Sequence, residues 1–232
     1  LTTLLLLLLF LLPLFSLLPL LHKDYILFLS LGPGGTPPTP LGYLRIKFLS
    51  LFAHPHPRRA SPLPPTAGYL HPSTLPPRRG SRPTVVGIAP HRQTNQHAHA
   101  PEFAMLERAI RRVADDPGNA AVFGVSCIEK HGPALFSCSE TREGGSGAAT
   151  TDRDTELLHA HPWDGSMHIV LHPGDVRVVL MQGWGERHPL GRGGWLRQFV
   201  PEDFMLIYAP RNAEEVEIVM RIVEAACWWR RG

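Results

Sequence analysis

Cysteine is scarce in this chain, with three copies in 232 residues. None of Cys127, Cys138 and Cys227 stands in a CxxC pair, and an odd number leaves one without a partner. A zinc ribbon needs paired cysteines, and a disulfide framework needs an even number of them. The sequence therefore excludes both classes, and we expect reduced, mostly buried thiols.

A stripe of basic side chains is also lacking, although the formal net charge is +3. Neutralising a phosphate backbone takes clustered Lys and Arg, so nucleic acid is excluded as a partner. Arg-Arg pairs are interpreted as solvated or membrane-surface charge; they stand at 58–59, 78–79, 111–112 and 230–231.

Proline is abundant but unevenly placed, since 17 of the 24 copies precede residue 102. A proline-rich stretch cannot continue a helix, so residues 53–83 are expected to run over the surface as a tether. We assign 23–83 to a juxtamembrane and proline-rich linker and 84–232 to the packed domain.

The N-terminus carries the longest apolar run, LLLLLLFLLPLFSLLPLL at 4–21. About 20 helical residues cross a bilayer, and no A-x-A-like cleavage site follows, so 1–22 is predicted to be a retained transmembrane anchor. Lys23 on its C-terminal flank favours a cytosolic domain. The next segment, 41–52, suits either an interfacial membrane helix or a short packed helix.

From residue 84 onward the periodicity indicates alternating helices and strands. Asn212 is an expected N-cap with Glu215 three residues later. The pattern predicts an α+β fold: a mainly antiparallel sheet with helices packed on one face, preceded by the transmembrane helix. Helices are expected over 103–113, 173–182 and 212–228, and strands over 120–129, 133–139, 156–161, 166–172 and 204–210.

Four histidines fall within residues 159–172, HAHPWDGSMHIVLH. The four-residue loop PWDG predicts an antiparallel hairpin around a type I turn. Its expected register pairs His161 with Ser166, His159 with His168, and Leu157 with Val170, which puts three histidines and the serine on one face. His172 is expected either on that face or as the cap of the next helix. The reverse face is apolar and should receive helices; it consists of Leu158, Ala160, Met167, Ile169 and Leu171.

Such a cluster has three interpretations from the residues alone. Three imidazoles can bind one metal ion, as in cupins, but Arg153 stands where the cupin pattern has glycine, and the helices contradict a jelly roll. Alternatively, the imidazoles transfer protons, or they form a half-exposed polar sheet face.

A second constellation follows in GWGERHPLG at 183–191. Trp184 offers a flat apolar surface and Arg187 a fork for oxyanions, with His188 beside them; a tight turn with a buried Trp is the alternative. The segment 89–99 adds Arg92 and Gln93, unless it is an ordinary surface loop.

Three strings, HAHPWDGSMHIVLHPGDV, GWGERHPLG and LIYAPRNAEEVEIVMRIVEAA, resemble the fungal luciferase family, as does the upstream RPTVVGIAPHRQ. The resemblance implies a membrane-associated enzyme that oxidises a hydroxylated styryl-pyrone with O2. CO2 is lost through a high-energy peroxide, without ATP. The only co-substrate implied is O2, and a metal at the three hairpin histidines is not favoured.

The resemblance also supplies candidate site residues. His159 or His168 is expected to be the base, His188 a donor or orienting group, and Arg187 the residue that stabilises the enolate. The catalytic candidates are His159, His161, His168, Arg187 and His188, and the substrate-binding candidates are Trp184, Ser166, Arg92, Gln93 and Arg211. A catalytically silent, membrane-tethered domain that binds an aromatic molecule and a histidine-ligated metalloenzyme remain as alternatives.

Overall fold

The sheet at the centre of the molecule has six strands in the described part of the chain. The structure is a computed structural model that describes residues 2–60, 66–138 and 154–231, with side chains from residue 16 onward. The helices are α1 Thr2–Ser30, α2 Pro40–Ser50, α3 Ala100–Asp115, α4 Pro173–Gln182 and α5 Ala213–Arg231. The strands are β1 Val85–Gly87, β2 His91–Gln93, β3 Ala121–Val125, β4 Pro133–Ser137, β5 Glu156–Ala160, β6 Met167–Val170, β7 Gly185–Arg187 and β8 Phe204–Ile207.

The main sheet has the order β3-β4-β5-β6-β8-β7, and every neighbouring pair is antiparallel. Strands β1 and β2 form a separate antiparallel hairpin. The predicted α+β class with a mainly antiparallel sheet is therefore confirmed. The glycine-rich segment 141–154 lies, except for its last residue, outside the described residues.

One face of the sheet receives α3, α4 and α5. Each of these helices contributes apolar side chains at helical spacing to one core, which also includes the apolar face of the β5–β6 hairpin and is removed from water. The helix residues in this core include Leu106, Ile110, Val176, Val179, Val219, Ile222 and Val223. The predicted helix-bearing face is confirmed.

The opposite face is also covered by helix, which corrects the expectation that helices pack on one face alone. Phe28 of α1 and Tyr43, Ile46 and Leu49 of α2 join a second cluster that includes Phe204 of β8. The Tyr43 hydroxyl donates to the Asp24 carboxylate at 2.6 Å and ties the two helices together. Residues 41–52 thus include a packed helix, as one of the two alternatives predicts, and the outward face of that helix stays exposed.

Local capping explains where α4 and α5 begin. Gly174 N donates to the imidazole Nδ1 of His172 at 3.1 Å, so His172 caps α4. Gly183 ends α4 with a φ of 80°, which favours glycine. Glu215 N donates to Asn212 Oδ1 at 2.9 Å, as the sequence predicts for α5.

The described part of the proline-rich segment packs against the domain. Leu75 is fully buried, and the Asp175 carboxylate of α4 accepts from Tyr69 N at 3.1 Å and Leu70 N at 2.6 Å. Because a buried carboxylate needs such donors, α4 holds this segment in place. Residues 66–83 thus run over the surface with most side chains exposed, as expected, but they are attached to the domain at these points rather than free as a tether.

The N-terminal helix α1 spans Thr2–Ser30. Among the described residues, no helix combines the length and the apolar character that crossing a bilayer requires. The predicted transmembrane anchor at 1–22 is thus unsupported, and the side chains of residues 1–15 lie outside the described part.

A buried histidine cluster as candidate active site

The hairpin β5–β6 has the predicted register around its histidines. His159 pairs with His168, Leu158 with Ile169, and Ala160 with Met167. His161 N donates to Ser166 O at 2.8 Å, which closes the turn as expected. His159, His161, Ser166 and His168 consequently share one face, and all four are buried rather than half-exposed.

A bulge at the start of β5 adds a carboxylate to this face. Leu158 pairs with Leu135 and Glu156 with Phe136, so Leu157 is an extra residue without a partner in that ladder. In a regular strand, Glu156 and His159 would point to opposite faces. The bulge puts them on one face, and it turns Leu157 into the helix-side core, away from its predicted partner Val170.

Two further imidazoles reach the cluster from other parts of the chain. His91 of β2 lies with its ring centroid 5.4 Å from that of His168, and His188, which directly follows β7, lies 5.2 Å from it. Phe204 of β8 stacks on His168 at 4.9 Å. Five buried histidines, with His168 at the centre, therefore form one cluster.

The ring of His168 is the centre of these contacts. Its Nδ1 lies 3.0 Å from His161 Nε2 and 3.1 Å from His159 Nε2. Its Nε2 lies 3.1 Å from His91 Nδ1. Both nitrogens of one imidazole are therefore in contact with other imidazoles.

In His159 and His161, the Nδ1 atom points away from His168 and is held by a carboxylate, directly or through a hydroxyl. His159 Nδ1 lies 2.6 Å from Glu156 Oε1. His161 Nδ1 lies 2.8 Å from the Ser166 hydroxyl, which donates to the Asp164 carboxylate. Each ring is thus oriented by a carboxylate, directly or through a serine.

Glu129, in the loop after β3, forms the remaining side of the cluster. Arg92 donates to both of its carboxylate oxygens, at 3.3 and 2.5 Å, and both side chains are buried. Glu129 Oε1 lies 3.9 Å from His159 Nε2. Arg92 therefore acts here through Glu129.

Burial determines the protonation of the rings. It lowers the pKa of His91, His161 and His168 well below the ordinary value, and repulsion from neighbouring rings lowers it further, with Arg92 contributing for His91 and His161. Burial also lowers the pKa of His188 to about 4. These imidazoles are neutral at neutral pH, so each carries one N–H group and one lone pair.

His188 has no ring nitrogen left for chemistry. Its Nε2 donates to Ile88 O at 2.9 Å, and its Nδ1 accepts from Leu190 N at 3.1 Å. The ring is thus a fixed part of the wall. The expectation that His188 acts as a proton donor is corrected, while its position in the cluster matches the prediction.

A cavity of about 90 Å³ opens onto this cluster. Its polar lining includes Glu129, His168 and His188. The rest is mainly apolar and comes from α2, the β1–β2 turn and the segment around β8; it includes Ile46, Leu49, Ile88, Val200 and Phe204. The helix α2 thus forms the outer wall of the candidate site.

Arg187 does not reach the histidines. Because neighbouring strand residues point to opposite faces, Arg187 opposes Met205 of the helix-side core, while His188 faces the cluster. The guanidinium donates to Gly191 O at 3.1 Å and lies 3.1 Å from His54 Nε2. The prediction that Arg187 shares the histidine site is therefore corrected.

Three other predicted substrate-binding residues lie elsewhere. Trp184 is buried in the helix-side core and donates through Nε1 to Pro76 O at 2.6 Å, as the alternative interpretation had it. Gln93 Oε1 accepts from Ala209 N, and Arg211 pairs with Glu215. Of the predicted binding residues, Ser166 and Arg92 alone contribute side chains to the described cluster, although Gln93 N donates to Asp164 at 2.8 Å.

Sequence analysis missed four members of the cluster: His91, Glu129, Glu156 and Asp164. Asp164 had a usable signal, because it lies in the PWDG turn beside Ser166. Glu156 was hidden by the bulge, and His91 and Glu129 are far from the hairpin in sequence.

The β5–β6 hairpin lies in the part of the chain that matches a known protein family. Residues 154–226 match the family model for the luciferase domain. The chain is 33% identical over 219 residues to a luciferase of Armillaria gallica, covering 90% of this chain and 80% of that protein. The chain belongs to the fungal luciferase family.

Other members of this luciferase family give similar values. A luciferase of Neonothopanus nambi is 32% identical over 219 residues, and one of Armillaria mellea is 33% identical over 221, with the same coverage of both chains. No solved structure matches. Family membership indicates an enzyme of the oxygen-dependent oxidoreductase type.

Proposed function

We propose that this luciferase-family protein catalyses the O2-dependent oxidation, with loss of CO2 and without ATP, of a flat hydroxylated pyrone or related polyketide. The observation that supports it is the cavity in which an apolar wall meets Glu129 and His168. An apolar cavity with few convergent polar groups is the usual form of a small-molecule site. The relatives named luciferase support the reaction class.

The volume of the cavity determines whether the ring of a substrate can enter without a change in structure. At about 90 Å³ it is smaller than the roughly 150 Å³ cavity that holds benzene. Substrate entry therefore requires a wall to move. We expect α2 to move, because its outer residues Leu44 and Phe48 are 60% and 59% exposed and its inner face alone packs on the domain.

The proposed chemistry begins with proton removal. Of the two bases that the sequence predicts, His168 lines the cavity and His159 does not; a ring hydroxyl in the cavity transfers its proton to the Glu129 carboxylate beside His168. The enolate carbon then bonds to O2, and the distal oxygen attacks the lactone carbonyl and expels the ring oxygen, which leaves as an enolate on the opened chain. Cleavage of the O–O bond and of the bond to the carboxyl carbon releases CO2, so one oxygen atom leaves in CO2 and the other stays in the product.

The apolar wall has a role in this scheme. Ile46, Ile88 and Phe204 exclude water, which would otherwise hydrolyse a peroxide and quench an excited product.

The test uses the purified full chain, a 3-hydroxylated styryl-pyrone and air-saturated buffer. An oxygen electrode and CO2 detection should show equal uptake and release, with one ¹⁸O atom from ¹⁸O2 in the product. Glu129→Gln should lower kcat/KM by about 10²–10⁴-fold, with the exposed Glu214→Gln as control. Ligand binding without turnover would instead support the silent binding domain, and neither binding nor turnover would exclude this substrate class.

Membrane association is a second part of the proposal. The outward face of α2 carries Leu41, Leu44, Phe48 and Leu51, all exposed, with Arg45 beside them. This composition suits an interfacial helix, through which an apolar substrate would enter. Co-sedimentation with anionic vesicles should fall in Leu44→Asp, and equal sedimentation of both proteins would exclude α2 as the contact.

A further inference from the structure

The tautomer of His159 follows from the hydrogen-bond partner of its Nδ1 atom, which is Glu156. Glu156 accepts hydrogen bonds from the Ser126 hydroxyl at 2.7 Å and from Cys127 N at 2.7 Å, so it is a carboxylate acceptor. A carboxylate has no proton to donate, and His159 Nδ1 must therefore carry the N–H group. The other nitrogen, Nε2, then directs a lone pair toward His168.

The same argument fixes His161. The Ser166 hydroxyl has one proton, which it donates to Asp164 at 2.8 Å. Asp164 itself accepts from Gln93 N at 2.8 Å. Ser166 Oγ is therefore an acceptor toward His161 Nδ1, and His161 Nε2 presents a second lone pair to His168.

At most one of these two lone pairs can receive a hydrogen bond from His168. His168 Nδ1 carries at most one proton, and it lies within 3.1 Å of both nitrogens. If His168 donates through Nε2 to His91, its Nδ1 adds a third lone pair at the same point. A buried, unpaired acceptor is costly, whereas a cation at this point would satisfy all three nitrogens.

The spacing of the nitrogens suits such a cation. Zinc and similar ions hold imidazole nitrogens at roughly 2.0–2.1 Å, so two ligands are about 2.9 Å apart at a right angle and about 3.3 Å apart at a tetrahedral angle. The observed separations from His168 Nδ1 are 3.0 and 3.1 Å. One ligand atom from each of Glu129 and the three histidines lies within 4.8 Å of the other three.

The buried charge around the cluster is an independent indication. Three carboxylates, Glu129, Glu156 and Asp164, are buried there against the single buried guanidinium of Arg92. Acidic side chains thus outnumber guanidinium groups among the described residues around the cluster. A bound cation would offset this imbalance.

The geometry points to a metal site: His159, His161 and His168, with Glu129 as the fourth ligand, bind one divalent transition metal of the iron-to-zinc range. Three imidazoles and one carboxylate favour these ions over Mg²⁺ and Ca²⁺. Glu156, and Asp164 through Ser166, orient the ligands from outside, as carboxylates do at histidine metal sites. Because Glu129 and His168 line the cavity, the ion would be open to a bound substrate.

A neighbouring set of histidines is the competing location. His91, His168 and His188 also approach one another. Both ring nitrogens of His188 are already bonded to backbone groups, so this set offers no third lone pair. The site is therefore assigned to the hairpin histidines.

The test is titration of the chelator-treated full chain, free of any affinity tag, with CoCl2 under anaerobic conditions. Visible cobalt absorption should saturate at one equivalent, and Zn²⁺ should displace it. His161→Gln should weaken binding by at least about 100-fold, whereas the exposed His99→Gln should bind as the parent does. Glu129→Gln should retain the histidine ligands and shift the cobalt spectrum, which keeps the test valid if His161→Gln does not fold.

Two results would contradict the proposed metal site. Folded parent protein that binds neither cobalt nor zinc would overturn the assignment, as would equal affinity in folded His161→Gln, with near-UV circular dichroism reporting the fold. This inference does not depend on the proposed reaction. Metal binding without O2 uptake would retain the site and reject the reaction, and O2 uptake by protein that binds no metal would do the reverse.

Discussion

The carboxylate of Glu156 lies 2.6 Å from Nδ1 of His159 and so decides which nitrogen of that ring faces the cluster. This contact exists because of the bulge at Leu157, which brings residues three apart onto one face of β5. The extra residue Leu157 thereby places the Glu156 carboxylate where it supports His159 of the candidate site.

Replacing Glu156 with Gln should therefore affect metal binding. An amide that donates toward Nδ1 favours the wrong tautomer and a weaker ligand, and loss of such outer partners costs about 10–100-fold in metal affinity. Competition between the protein and a chromophoric chelator for zinc measures the change. Glu217→Gln, exposed on α5, is the matched control, and unchanged zinc affinity in folded Glu156→Gln would contradict the argument.

A bulky side chain in the α2 wall should block the cavity. Ile46 is buried and lines the cavity, so Ile46→Trp should raise the KM for the pyrone by about tenfold or more. Leu44→Trp, on the exposed face of the same helix, should leave KM unchanged. Cobalt binding should be retained in both variants, and an equal KM in both would exclude this cavity as the substrate site.

Arg187 should contribute to stability rather than to catalysis. Arg187→Ala removes a charged hydrogen bond to Gly191 O and should lower the free energy of unfolding by about 1–3 kcal/mol. Since Arg187 shares no partner with the histidines, kcat/KM should change by less than about threefold at a temperature where the variant is folded. Urea unfolding and steady-state kinetics give the two values, and a hundredfold loss of kcat/KM at unchanged stability would restore the sequence-based assignment.

Glu215 should make the free energy of unfolding depend on pH. Burial would raise its pKa, but hydrogen bonds from the Arg211 side chain and backbone outweigh burial and lower it. The unfolded chain then binds the proton more tightly, so this contribution is complete above the unfolded pKa of about 4.3 and is lost as pH falls through the lower folded value.

Glu215→Gln should therefore lower the free energy of unfolding by about 1–2 kcal/mol at pH 7 and by less as the pH falls below 4. Unfolding in urea at several pH values measures the difference. Glu214→Gln, exposed in the same helical turn, should show little change at any pH. A pH-independent difference would show that the Arg211 pair is not its source.

The sequence by itself determined the hairpin that carries the histidines. Strict alternation and a four-residue turn allow one register that keeps the apolar side chains together, and a shift by one residue would expose them all. The pairing of His159 with His168 and the helix caps at His172 and Asn212 were predictable for this reason, since each depends on neighbours in the chain.

The tertiary structure alone decided what surrounds those histidines. His91, Glu129 and Arg92 arrive from separate segments, and the α2 wall comes from residues that the sequence left between two alternatives. Arg187 and His188 are neighbours in the chain, yet the alternation of β7 sends them to opposite faces. Local pattern fixes periodicity and register, whereas long-range packing and one bulge determine which polar groups become buried together.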